Sequence, residues 1–124
     1  MKKCLTSLSL LLTSILLFSC GPKFNGRSEK EYEASRKIVE QKLDKNQLVT
    51  LEKALRVIAA ESMRLKWDEP AKYKGQSFNT IALKLIDGHT YSSITSEAEE
   101  ILKAGNNRKA AQLSAEIDSL EKKW

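Results

Sequence analysis

The sequence predicts an all-α protein, a small bundle of three to four helices behind a leader segment that is cleaved off. Three observations point there. Apolar residues recur in steps of three and four along most of the chain after Ser28. Ser28, Asp44 and Thr90, all side chains that cap helices, stand at the heads of those runs. No stretch alternates polar and apolar residues as a half-buried strand would.

The first helix is announced by Ser28-Glu29-Lys30-Glu31, a capping-box pattern with Ser28 as N-cap and Glu31 at the third helical position. It runs to about Leu43, with Tyr32, Ile38, Val39 and Leu43 on its apolar side. Asp44-Lys45-Asn46-Gln47 repeats the device for a second helix. There Leu48, Leu51, Leu55, Ile58, Ser62 and Leu65 form one face, widened by Ala54 and Val57. This helix should end near Trp67, because Pro70 resists continuation. The third starts at either Pro70 or Ser77 and carries Tyr73, Phe78, Ile81, Ala82, Leu85 and Ile86. Gly88 suits the position just past its end at Asp87. Thr90 caps the last helical region, lined by Ile94, Ala98, Ile101 and Leu102. Gly105-Asn106-Asn107 could break that region. Yet Leu102 and Leu113 are about three whole turns apart, so Leu113, Ile117 and Leu120 share the face of Leu102. One continuous helix and two shorter ones both fit.

The chain opens differently. Met1-Lys2-Lys3 is followed by a Leu-rich uncharged stretch from Cys4 to Ser19. That is the charged-then-apolar layout of an export signal, too short and too hydroxyl-rich for a spanning helix of about 20 apolar residues. Leu17-Phe18-Ser19-Cys20-Gly21 resembles the lipobox of bacterial lipoproteins, with Leu three residues before the cysteine and a small residue just before it. The resemblance implies removal of residues 1–19, a thioether-linked diacylglycerol on Cys20, and an acyl chain such as palmitate on the new amino group. Cys4 would leave with the signal, and lipidation would account for the remaining odd cysteine and leave it no thiol chemistry. Two or more acyl chains anchor stably where one does not. Residues 20–27 then read as a lipidated tether punctuated by Pro22 and Asn25-Gly26, reaching about 25 Å at most from Gly21 to Arg27. Residues 28–124 form the helical domain.

Losing Lys2 and Lys3 lowers the formal charge from +5 to +3, since residues 1–19 hold no acid. The remaining Lys and Arg residues are interleaved with Glu and Asp, which excludes a nucleic-acid footprint. A domain this small and polar buries only a modest core.

Residues with chemical potential are few. His89, the only histidine, stands in Asp87-Gly88-His89-Thr90 between helices, without the partners that catalysis or metal binding needs. Glu97, Glu99 and Glu100 fall near a helix start, where the helix dipole favours carboxylates. Trp67 and Tyr73 flank the Pro70 loop and are expected to pin it to the core, and Trp124 is terminal. Leu113-Ile117-Leu120 is core or a seam to a partner, though barely two heptads long. No catalytic set, metal site or cofactor site is assigned. Cys20 is the one functional residue.

Phe24-Asn25-Gly26, Leu55-Arg56-Val57-Ile58-Ala59, and Leu85-Ile86-Asp87-Gly88-His89-Thr90 followed by Ile94 and Ala98-Glu99-Glu100-Ile101 resemble a family of small uncharacterised bacterial lipoproteins, mainly from Gram-negative bacteria. The resemblance spans nearly all of the mature chain and implies a small helical lipoprotein without a transferable activity. His89 stands where that family would be expected to carry Lys or Met. By the sorting pattern of such lipoproteins, Gly21 in place of Asp implies the outer membrane, facing the periplasm. A Gram-positive source would place the chain on the outer face of the cell membrane.

Two functions remain. The first is a non-enzymatic envelope module, held to the membrane through Cys20 and docking onto an envelope protein. The alternative is a small-ligand binder or inhibitor, with a pocket lined by Trp67, Tyr73 and Phe78. Oligomeric state is not specified by the sequence.

Overall fold

The computed structural model describes residues 21–122, and the expected signal segment 1–19, Cys20 and Trp124 lie outside that range. The described residues form four helices and no strand: α1 (Glu29–Gln41), α2 (Lys45–Asp68), α3 (Phe78–Ile86) and α4 (Tyr91–Glu121). The bundle is therefore all-α.

Each helix begins where a side chain satisfies its free backbone donors. Ser28 accepts from Glu31 N, Asp44 from Gln47 N, Ser77 from Thr80 N and Thr90 from Ser93 N. At Asp44 and Thr90 the third helical residue bonds back to the cap, closing a full capping box. Ser77, not Pro70, opens α3; residues 70–75 form turns instead. At the other end of α3, Gly88 takes a φ of +80°, a conformation that disfavours other residues.

α2 is the centre of the bundle and packs against both α3 and α4. It buries Leu51, Ala54, Ile58 and Ser62, four members of the face expected from the sequence. Buried Ser62 is satisfied locally, its hydroxyl donating to the Ala59 carbonyl at 2.6 Å. Val39 from α1, Ile81, Leu83 and Ile86 from α3, and Ile94 and Ala98 from α4 complete the buried set. Of the two neighbours placed on the core side from spacing, Val39 is buried and Ile38 is exposed.

The last core residue precedes every helix. Phe24 is 1% exposed and sits among Val39, Leu51, Ile58, Ile86 and Ile94. Its ring lies 6.1 Å from that of Tyr32 on α1. The stretch assigned to a tether thus contributes a core side chain. Deleting a buried Phe side chain typically removes about 3–5 kcal/mol. Phe24→Ala is expected to lower unfolding free energy by that order in chemical denaturation, while Ile38→Ala on the exposed side changes it by under about 1 kcal/mol.

Candidate functional site

The chain enters the bundle as a docked strap. Lys23 and Thr90 pair as an isolated antiparallel bridge. Phe24 N donates to the His89 carbonyl at 2.8 Å, and Gly88 N donates to the Phe24 carbonyl at 2.9 Å. Asn25 N donates to Ser35 Oγ on α1, and Gly26 N donates to Asp87 Oδ1 at 2.8 Å. Every backbone N–H from Phe24 to Arg27 is satisfied, the last by the Asn25 side chain. Gly26 has no room for a side chain: a Cβ there would fall 2.0 Å from the Leu83 carbonyl oxygen.

Gly21 and Pro22, just ahead of the strap, line a cleft of about 520 Å³. Val39, Lys42 and Leu43 form one wall, and Thr90 to Ser93 at the head of α4 form the other. Cys20 is the next residue along the chain, one peptide unit or 3.8 Å from the Gly21 Cα. The cleft therefore adjoins the expected lipid attachment.

His89 and Asp87 have structural work in this region. His89 Nδ1 is 3.0 Å from Ser93 Oγ, and its carbonyl holds the strap. Asp87 is the acceptor for Gly26. The Ser93 hydroxyl beside His89 is engaged in the Thr90 capping box, and among the described residues no cluster of metal-binding side chains occurs. Glu97, Glu99 and Glu100 are exposed. Their explanation changes, because α4 starts at Tyr91 and its first turn holds no acid. The dipole effect fades within the first turn, so these carboxylates are simply a solvated face.

The aromatics also depart from expectation. Trp67 is 78% exposed instead of packed against the Pro70 loop. Phe78 lies partly exposed with Lys66 Nζ 5.0 Å from its ring. It is Lys66, through a 2.7 Å bond to the Gln76 carbonyl, that fastens the loop. The three clefts beside Gly21, Gly26 and Gly105 are lined by residues other than Trp67, Tyr73 and Phe78.

Perturbed ionisations sit in the framework rather than at a reactive centre. Burial pushes the Tyr32 hydroxyl up, with Arg36 opposing. Burial would lower Arg36, but its hydrogen bond to Glu40 and the charges of Tyr32, Glu40 and Glu52 together outweigh that and raise it. Arg36 also reaches Glu52 at 2.9 Å and so ties α1 to α2. Arg64 is raised chiefly by its bond to Glu61.

The second distinctive region is the far half of α4. The helix is unbroken through Gly105 and is about 46 Å long, from 31 residues. From Leu102 onward all its residues but Gly105 are exposed, and Leu113, Ile117 and Leu120 are 58%, 55% and 57% exposed. No helix of the described residues is long and apolar enough to cross a membrane.

No family model, curated protein or solved structure matches this chain. Gly26→Ala is expected to displace the strap and destabilise the domain by about 1–3 kcal/mol, the usual range for overpacking. His89→Ala keeps the backbone bonds and should change stability by less than about 1 kcal/mol. Thermal unfolding of the two variants side by side checks this ordering.

Proposed function

We propose that this chain is a lipid-anchored protein of the bacterial cell envelope, whose helical domain acts through protein contact and not through catalysis. The observation that carries the reading is Leu17-Phe18-Ser19-Cys20, three residues ahead of a strap that is built into the core. Gly21 and Pro22 are the only residues between the lipid attachment and the first bridged residue, Lys23. The anchor would thus bear directly on the bundle, and the side carrying Lys42, Leu43 and Tyr91 would lie nearest the bilayer. A protein built this way works at a fixed distance from one leaflet. In a Gram-negative cell, Gly21 after the cysteine favours the outer membrane, on its periplasmic face.

Contact as the mode of action is supported by the long α4, whose outer half presents apolar residues to solvent. The ligand-binding reading has one observation in its favour, the cleft beside Gly21, which falls in the size range of about 300–1,000 Å³ typical of small-molecule sites.

Cells expressing the full chain should hold it in the membrane fraction, and mass spectrometry of its N-terminal peptide should show diacylglyceryl-modified Cys20. Cys20→Ala should release the protein from membranes or leave the signal uncleaved. An unmodified, soluble wild-type chain would contradict the anchor.

A further inference from the structure

We infer that the outer half of α4 is a self-association surface, on which two copies of this chain pair antiparallel. The inference goes beyond anchoring and does not depend on it.

Charge along the segment supports it. Residues 103–112 carry Lys103, Arg108 and Lys109 with no acid, and residues 113–121 carry Glu116, Asp118 and Glu121 with no base. Within the described residues no ion pair uses Arg108, Lys109 or Glu116. An antiparallel pair sets the basic half of each copy against the acidic half of the other. A parallel pair would set like charges together, which opposes association. The antiparallel arrangement is a two-fold, self-complementary interface, the commonest kind in homodimers.

Shape supports the same register. With Lys109 facing Glu116 of the second copy, the two-fold passes beside Gln112 and Leu113. Leu120 then falls opposite Gly105 of the second copy. Gly105 borders a groove between α2 and α4 that Val57, Ala60, Ile101 and Leu102 also line. Glycine weakens a helix interior, and within one copy nothing requires it here. A Cβ at Gly105 would meet only the Arg108 side chain, at an ordinary 3.6 Å. The missing side chain leaves the groove open for the incoming Leu120, with Ile117 and Leu113 covered next along the seam.

The test places a photoreactive benzophenone amino acid at position 120 of the purified full chain in detergent. Irradiation should give an adduct of twice the chain mass, with the link mapped to residues 101–109 or 56–64. Lys109→Glu should abolish the adduct, and adding Glu116→Lys should restore it. Gly105→Leu should also abolish it, while the melting temperature stays level or rises. Far-UV circular dichroism confirms that each variant is folded, and Arg108→Glu with Asp118→Arg serves as a second charge-exchange pair. No dimeric adduct, or a link mapped to residues 116–122 as in a parallel pair, would overturn the proposal.

Discussion

Phe24 reaches the centre of the bundle from a segment with no helix of its own. Its amide and carbonyl bond to the turn between α3 and α4, and its ring fills the space between α1, α2 and the head of α4. Burying such a ring contributes about 1.5–3 kcal/mol, a large share for a small domain. The turn it grips is the one that sends α4 back along α2. Gly88 bends that turn, Asp87 holds Gly26, and Thr90 both bridges Lys23 and caps α4. Strap, turn and cap are thus one hydrogen-bonded unit, and the position of α4 depends on it.

From that unit outward the molecule divides. The part of α4 up to Ile101 is held by the core, and the residues from Leu102 onward, exposed but for Gly105, leave the bundle. Starting a helix in water is costly, because the first turn fixes several residues for a single hydrogen bond. Continuity with the buried half supplies the nucleus, and the helix runs through Gly105-Asn106-Asn107 without a break. The strap and the projecting end are therefore joined through one continuous helix.

Much of this was legible beforehand because capping chemistry is local. Ser28, Asp44 and Thr90 marked helix starts correctly, and the three- and four-residue steps of Leu51, Ile58 and Ser62 identified the inward side of α2. What escaped depends on distant partners. Phe24 lies between Pro22 and an Asn25-Gly26 pair, so local signals spelled a turn; only the His89 carbonyl and the Gly88 amide, some 65 residues later, make it core. Gly26 read as part of a turn but is needed for lack of space against Leu83. Trp67 carried an apolar ring but stands at the rim of α2 with no element above it. Lys66, a surface residue by type, took over the loop-fastening expected of the aromatics. At Gly105 local propensity suggested a break, and helix cooperativity prevailed.

The proposed membrane anchor rests on the lipobox-like residues Leu17 to Cys20. With lipid on Cys20, a free tether would let the domain tumble near a bilayer. A strap built into the core would present one side of it instead. The most direct measurement of that difference is amide hydrogen exchange of Phe24 and Gly88 in the full chain. Both amides should be protected as strongly as those of the buried turns of α2, opening only with global unfolding. Exchange of the Phe24 amide at the rate of an unstructured chain, while α2 stays protected, would contradict a docked strap.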